Sequence, residues 1–259
     1  MIVLKLGGSV ITDKESPMTP DMDSIRRLAE EVAESKTRDL IVVHGGGSFG
    51  HTVAKQYGIA EGLTSREKTI GFSKTRQAMV ELNSLVINAL LDISLPVVSV
   101  TPSSFVIMEE GRIAMFSFDV VRLLIDLEMI PVLYGDAVLD RERGFSILSG
   151  DQLASFLAAG LGASRLVFGV DVDGVCTSDP KKNPDADLIE VLPLDKLREM
   201  VNFGHALSTD VTGGMLGKVM ETAIAIEAGV EVIVVNALRP GIVKKALRGE
   251  HVMGTVLVR

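Results

Sequence analysis

The chain is poor in the residues that mark secreted, metal-binding and membrane-spanning proteins. Its single cysteine, Cys176, excludes an intramolecular disulfide and indicates a reducing compartment. The four histidines and this cysteine show no spacing typical of a structural zinc site. No apolar run approaches the roughly 20 residues that a membrane-spanning helix needs. We therefore expect a cytoplasmic protein with no membrane partner.

An excess of positive charge is also absent. The formal net charge is −8 and the isoelectric point is about 5.1, whereas nucleic-acid binders usually present a basic surface. We therefore expect no nucleic-acid partner. Phosphate-bearing small molecules remain compatible with this charge, because a few lysines and backbone amides suffice to bind them. The hydrophobic content of 47% predicts an extensive core.

Short runs rich in valine, isoleucine and leucine alternate with amphipathic stretches. Such runs are typical of strands that are buried on both faces of a parallel sheet. Their alternation with helical stretches predicts an α/β fold, namely a three-layer αβα sandwich with an open, mainly parallel central sheet. The predicted strands are 2–6, 40–44, 97–100, 130–134, 165–170, 231–236 and 254–258.

The predicted helices lie between these strands. One of them, over 67–93, is expected to be continuous or to break near Gly71. Two β excursions are expected over 105–117 and 138–148, with turns at Glu110-Gly111 and Arg143-Gly144. The remaining predicted helices are 21–35, 118–128, 151–161, 193–203, 214–228 and 240–248.

Two glycine-rich turns directly follow predicted strands. They are residues 5–9 (KLGGS) and 44–51 (HGGGSFGH). Glycine lets the backbone approach a ligand closely, and several amides aimed at one point form an anion site, above all where a helix begins. His51 adds a donor that changes charge near neutral pH. The pair of turns predicts two facing phosphates and hence phosphoryl transfer.

Four later segments contain further ingredients of such a site. Glycine and aspartate at the carboxyl ends of several parallel strands are typical of ligand sites in open α/β sheets. The segments are 134–136 (YGD), 149–151 (SGD), 171–175 (DVDGV) with its continuation 178–181 (SDPK), and 210–215 (DVTGGM) leading to Lys218.

Taken in order, these motifs resemble those of the amino acid kinase superfamily. Its pattern is Lys-x-Gly-Gly, His-Gly-Gly-Gly, Thr-Asp-Val-Asp-Gly and a late Gly-Gly-Met followed by lysine. The match extends from residue 5 to residue 218, with Val170 where the family often has threonine. The resemblance implies the amino acid kinase fold, ATP-dependent phosphoryl transfer and a homodimer formed through the N-terminal lobe.

Within the superfamily, the chain looks most similar to the isopentenyl phosphate kinases. The details are Lys14, nine residues after Lys5, the histidine-bearing loop 47–51, and the YGD and SGDQ segments. The implied acceptor is isopentenyl phosphate, in an alternative mevalonate route. A fosfomycin kinase, another amino acid kinase and a non-catalytic nucleotide sensor remain alternatives. A dinucleotide oxidoreductase is excluded, because no Gly-x-Gly-x-x-Gly follows the first strand.

Phosphoryl transfer needs positioning and charge neutralisation rather than a general base when the acceptor is itself a phosphate. Lys5 and Lys218 are assigned to the β- and γ-phosphates, and Lys14 to the group in transfer. Asp151 is expected to hold Lys5 and Lys218 by charge-assisted hydrogen bonds. His51 is expected to donate to the acceptor phosphate.

The remaining residues divide between nucleotide and acceptor within one domain, 1–259, with an acceptor lobe over about 1–150 and a nucleotide lobe over about 151–259. Mg²⁺ is expected with ATP, held mostly by phosphate oxygens and water rather than by protein ligands. Besides the lysines, the nucleotide set is Gly7, Gly8, Ser9, Gly47, Asp171, Gly174, Pro180, Lys181 and Gly214. Besides His51, the acceptor set is Gly46, Gly47, Gly50 and Gly150, with Phe72, Thr75, Met79, Val138 and Ile147 expected along the tail.

Overall fold

A computed structural model describes residues 1–183, 185–207 and 215–259, which form two sheets flanked by helices. The strands are β1 Ile2–Leu6, β2 Leu40–His44, β3 Val97–Ser99, β4 Ile107–Glu109, β5 Arg112–Met115, β6 Ile130–Tyr134, β7 Asp136–Asp140, β8 Gly144–Leu148, β9 Arg165–Val170, β10 Val191–Pro193, β11 Glu231–Asn236 and β12 Thr255–Val258. The helices are α1 Gly8–Ile11, α2 Met22–Ser35, α3 Gly47–Gln56, α4 Glu67–Asp92, α5 Asp119–Asp126, α6 Gly150–Gly160, α7 Leu194–Leu207, α8 Met215–Met220, α9 Ala223–Glu227 and α10 Ile242–Arg248.

The larger sheet has eight strands in the order β10-β12-β11-β9-β1-β2-β6-β3. The central strand β1 pairs in parallel with β2 on one side and with β9 on the other. β12 is antiparallel to β11, so β12 and its parallel partner β10 run against the other six strands. The carboxyl ends of β1, β2, β6, β9 and β11 therefore meet at one edge, where open α/β sheets bind their ligands.

Both faces of this sheet are covered, as its continuous apolar strands predict. Val3 and Ile41 belong to a core shared with α6 and α9. Leu4 and Val42 point the other way, into a core shared with α2, α4 and α10. This arrangement confirms the predicted three-layer αβα sandwich. Among the described helices, none combines the length and apolar character that a bilayer crossing requires.

The predicted β excursions pair with each other, which the sequence did not indicate. They form a second sheet in the order β5-β4-β7-β8, joined by the parallel pair β4 and β7. The first turn lies at Glu110 and Gly111, as predicted, with φ of 50° and 78°. The second ends at Gly144, also at positive φ.

The helices differ from prediction in a few places. α4 continues through Gly71 without a break. A Cβ at this position would lie 2.3 Å from the Cβ of Tyr57, so the glycine allows close packing of the helix against Tyr57. The predicted helix over 214–228 is instead two helices, α8 and α9, and residue 214 lies outside the described residues. α1 and α3, within the glycine turns, were not predicted.

Candidate active site

The two glycine turns touch each other at the carboxyl edge of the large sheet. A Cβ on Gly8 would lie 2.1 Å from the amide nitrogen of Gly47, and one on Gly45 would lie 2.7 Å from the amide nitrogen of Gly8. Backbone therefore packs directly on backbone, which only glycine permits. The two turns from which the sequence predicted two facing phosphates are thus in direct contact.

The amino ends of two helices adjoin this contact. α3 begins at Gly47, and α6 begins at Gly150, where a Cβ would lie 3.0 Å from the carbonyl oxygen of His44. Ser149 caps α6, accepting from the amide of Gln152 at 3.0 Å. Within the described chain, the amides of Gly8, Gly46 and Gly150 have no hydrogen-bond acceptor. Free amides at adjacent helix starts form a site suited to phosphate.

A buried ion pair lies beside these amides. The ammonium of Lys5, with 3% of its side chain exposed, is 2.5 Å from Oδ1 of Asp151 in the first turn of α6. The same ammonium lies 4.3 Å from the centre of the Phe168 ring. Asp151 therefore pairs with Lys5, one of the two lysines that it was expected to hold. Lys218 has no ion-pair partner among the described residues. The expected bond between Lys218 and Asp151 is therefore not formed.

The first cavity, of about 490 Å³, opens between the glycine turns and α4. His51, in the first half of α3, lines this cavity and remains partly open to solvent. Burial by the surrounding walls, followed by the charge of Lys218, lowers the pKa of His51 from its ordinary value. The wall of this first cavity includes Lys5, Gly8, Gly46, Gly50, His51, Thr75, Met79, Ile147, Gly150, Asp151 and Lys218.

Two predicted tail contacts lie elsewhere. Phe72 does not line the cavity but packs behind its wall, with its ring centre 5.2 Å from that of Phe145. Val138 is fully buried in the core that also contains Val3 and Ile41. Thr75 and Met79, one and two turns further along α4, reach the cavity instead, together with Ile147.

A second cavity, of about 270 Å³, lies on the other side of Lys218. It gathers most of the residues that were expected at the nucleotide. Lys218 lines both cavities, so one ammonium-bearing side chain stands between them. The wall of the second cavity includes Lys14, Asp171, Gly174, Cys176, Ser178, Asp179, Pro180, Lys181 and Lys218.

Asp171 is the charge centre of the second cavity. Its Oδ2 accepts from the ammonium groups of Lys14 and Lys181, each at 2.5 Å. Burial acts to raise the pKa of Asp171, but the hydrogen bonds from the two lysines outweigh it and hold the pKa well below its ordinary value. Both lysine side chains are about half exposed, at 53%, so they can turn toward an incoming anion.

Comparison with known proteins agrees with this geometry. The model of the amino acid kinase family matches residues 1–236. The isopentenyl phosphate kinase of Methanothermobacter thermautotrophicus is 43% identical over 262 residues, covering 98% of each chain. A crystal structure of an isopentenyl phosphate kinase superposes with a TM-score of 0.88 at 39% identity, covering both chains fully. A crystal structure of an isopentenyl phosphate kinase substrate complex superposes with a TM-score of 0.80 at 31% identity, covering 99% of this chain and 100% of the other chain.

This chain belongs to the amino acid kinase family, among the isopentenyl phosphate kinases. The family motifs are thereby located in the fold: the first two glycine turns meet at the sheet edge, and Asp171 follows β9. The late motif ends at Met215, the first residue of α8, and Gly214 lies outside the described residues.

Three predicted glycine-turn residues do not line either cavity of this family member. The amide of Gly7 donates to the carbonyl of Gly169 at 2.8 Å, so it is not free for a phosphate. Gly47, at a φ of 47°, packs against Gly8 and Thr12. Ser9 is the second residue of α1, directly after Gly8, and lines neither cavity.

The residues assigned to the site from the sequence did not include two buried groups near it. Thr12 joins the glycine turns, because its hydroxyl donates to the carbonyl of Gly8 at 2.8 Å and accepts from the amide of Ser48 at 2.9 Å. Asp136 lines the first cavity, 3.5 Å from Nε of Arg76, and burial raises the pKa of its carboxyl. The YGD segment signalled Asp136, whereas no local pattern signalled Thr12.

Proposed function

We propose that this protein transfers the γ-phosphoryl group of ATP to isopentenyl phosphate, forming isopentenyl diphosphate and ADP. The observation that carries the proposal is the position of Lys218 between two cavities, one rich in glycine amides and apolar walls, the other gathering the nucleotide motif. Several relatives to which this chain is 34–43% identical are named isopentenyl phosphate kinase. The reaction belongs to an alternative mevalonate route of isoprenoid synthesis.

The acceptor occupies the first cavity. Its phosphate accepts hydrogen bonds from the amides of Gly46 and Gly150 and from the ring of His51. Burial and Lys218 lower the pKa of His51 in the empty site, and the ring has an N–H that can donate to the phosphate in either protonation state. The five-carbon tail extends along Thr75, Met79 and Ile147. No arginine lines this cavity in the described chain, and the nearby Arg76 already faces Asp136 at 3.5 Å, which disfavours an amino acid acceptor.

The nucleotide occupies the second cavity, with its nucleoside near Asp171, Gly174 and Pro180. Its terminal phosphates reach toward the free amide of Gly8 and toward Lys218. The described residues hold no cluster of three or more metal-ligating side chains, and Asp171 is already engaged by two lysines. When bound, Mg²⁺ supplies neutralisation of phosphate charge and is held mainly by phosphate oxygens and water.

Transfer forms a bond between an acceptor phosphate oxygen and the γ-phosphorus while the bond to the β–γ bridging oxygen breaks. Lys5, held by Asp151, and Lys218 neutralise the charge that shifts onto ADP. Lys14 exchanges its bond with Asp171 for oxygens of the group in transfer. No proton must be removed from an ionised phosphate acceptor, so Asp151 remains a positioning residue.

We also propose a cytoplasmic homodimer, with an acceptor lobe over about 1–150 and a nucleotide lobe over about 151–259. The lobes share the large sheet, since β1 pairs with both β2 and β9. Sedimentation at several protein concentrations tests the dimer.

An acceptor panel tests the proposed function. ADP release with Mg²⁺ and ATP is measured against isopentenyl phosphate, dimethylallyl phosphate, fosfomycin, acetylglutamate, aspartate and uridylate. We expect strong turnover with isopentenyl phosphate, alone or with its dimethylallyl isomer. Turnover with fosfomycin or an amino acid alone would keep the lysine roles and reject the acceptor assignment, and nucleotide binding without any turnover would indicate a sensor.

A further inference from the structure

The tip of the β4–β5 hairpin, residues 110–112, is fixed to the second sheet. The amide of Gly111 donates to Oδ2 of Asp140 at 2.8 Å. The same oxygen accepts from the hydroxyl of Ser146 at 2.6 Å, and the other carboxylate oxygen accepts from the amide of Arg143 at 3.0 Å. A carboxylate that accepts several hydrogen bonds holds its donors in fixed directions. The hairpin tip is therefore a rigid platform.

One side of this platform contacts the helix that carries Asp151. The side-chain amide of Gln152 donates to the carbonyl of Gly111 at 3.3 Å. Gln152 directly follows Asp151, and its own backbone amide is capped by Ser149. The hairpin tip is thus connected to the first turn of α6, and through Asp151 to Lys5.

The other side of the platform contacts the helix that carries Lys218. The guanidinium of Arg112 forms two bonds with the carboxylate of Glu221, at 2.8 and 2.9 Å. Glu221 follows α8 directly, three residues after Lys218. α8 has only six residues, and so short a helix takes its orientation from tertiary contacts. A two-bond pair constrains direction as well as distance.

We infer that Arg112 is a positioning residue that sets the place of Lys218 relative to Lys5 and Asp151, through Glu221 and the fixed hairpin tip. This inference rests on the proposed function, in which Lys218 serves both substrates. Arg112 itself lines neither cavity. Its effect reaches the reaction because displacement of a reacting group by about 1 Å can lower the rate about 100-fold.

Steady-state kinetics of paired variants test the inference. We expect Arg112→Ala to lower kcat by about 10-fold to 100-fold, and Arg112→Lys, which keeps the charge but not the two-bond geometry, to lower it by several-fold. The charge exchange Arg112→Glu with Glu221→Arg should recover most of the loss. Arg141→Ala is the matched control, because Arg141 pairs with Glu109 beside the same tip and, in the described part of the chain, lines neither cavity. Unchanged kcat in Arg112→Ala, or no recovery on exchange, would overturn the inference.

A second readout does not depend on turnover. Lys5, Asp151 and Lys218 all act on the pKa of His51, and Lys218 lowers it. Displacement of Lys218 in Arg112→Ala should therefore raise the pKa of His51, as measured by NMR titration with the resonance assigned through His51→Asn. Arg141→Ala should leave it unchanged. An unshifted His51 in Arg112→Ala would reject the inference even if the wild type failed to phosphorylate isopentenyl phosphate, a result that would itself reject the proposed function.

Discussion

The buried Lys5–Asp151 pair tests how strongly burial of the lysine determines the free energy lost when its counter-charge is removed. In Asp151→Asn, the Lys5 ammonium keeps its buried position and loses its counter-charge. At an effective dielectric constant of about 20, two unit charges at this separation attract by about 7 kcal/mol, and much of that offsets their removal from water. Breaking such a pair typically costs about 3–5 kcal/mol. Since Asp151 retains some contact with the cavity, we expect a loss of about 3 kcal/mol in the free energy of unfolding.

Asp171→Asn is the matched control for this substitution. Asp151 and Asp171 are equally exposed, at 13%, and each lies 2.5 Å from a lysine ammonium. The lysines differ: Lys5 is 3% exposed, whereas Lys14 and Lys181, which both pair with Asp171, are each 53% exposed and can return to water. We therefore expect Asp171→Asn to cost less than Asp151→Asn, because the lysines that it releases can regain full hydration.

Urea unfolding at pH 7.5 and fixed protein concentration measures both losses. The substitution Asp151→Asn is also made in a Lys5→Met background, where no buried charge remains and its cost should fall below about 1 kcal/mol. Equal losses for Asp151→Asn and Asp171→Asn, or an undiminished loss in the Lys5→Met background, would refute the argument from burial.

Three further predictions concern single residues. Lys14→Ala should lower kcat about 100-fold with little change in nucleotide affinity; weak ATP binding at unchanged kcat would reject its role in transfer. His51→Ala should lower kcat/KM for isopentenyl phosphate about 100-fold and leave the KM for ATP unchanged, and wild-type kinetics across pH 6 to 8 would reject the acceptor assignment. His44 is buried beside Asn83 and Tyr134, and burial lowers its pKa. At low pH the unfolded chain therefore binds a proton more readily than the native histidine does. As the pH is lowered below about 6.5, the free energy of unfolding should decrease by up to about 1.4 kcal/mol per pH unit. Urea unfolding of His44→Asn should show a shallower pH dependence than the wild type, and equal slopes would contradict this reasoning.

The strands of the large sheet were predictable because burial on both faces leaves a continuous apolar signal. β2, β6 and β9 have the predicted bounds. The helices α1 and α3 were not predictable in this way, because each begins with a glycine of low helix propensity, and tertiary contact between the turns decides their conformation. The pairing of the two β excursions likewise depends on contacts between β4 and β7, which are distant in sequence.

The site was predictable to the extent that its chemistry lies in short motifs. Lys5, Asp151 and His51 were assigned to one site, and one cavity contains them. Side-chain direction was not predictable: Phe72 reaches Phe145 rather than the cavity. The bond between Arg112 and Glu221 joins residues 109 positions apart, and no local pattern marks it.

The most direct test of the central claim is ³¹P NMR of a reaction containing the protein, ATP, Mg²⁺ and isopentenyl phosphate. The account predicts that the monophosphate resonance is replaced by the two coupled resonances of a diphosphate ester, while ADP forms in equal amount. An unchanged isopentenyl phosphate resonance, or ADP accompanied only by inorganic phosphate, would contradict it.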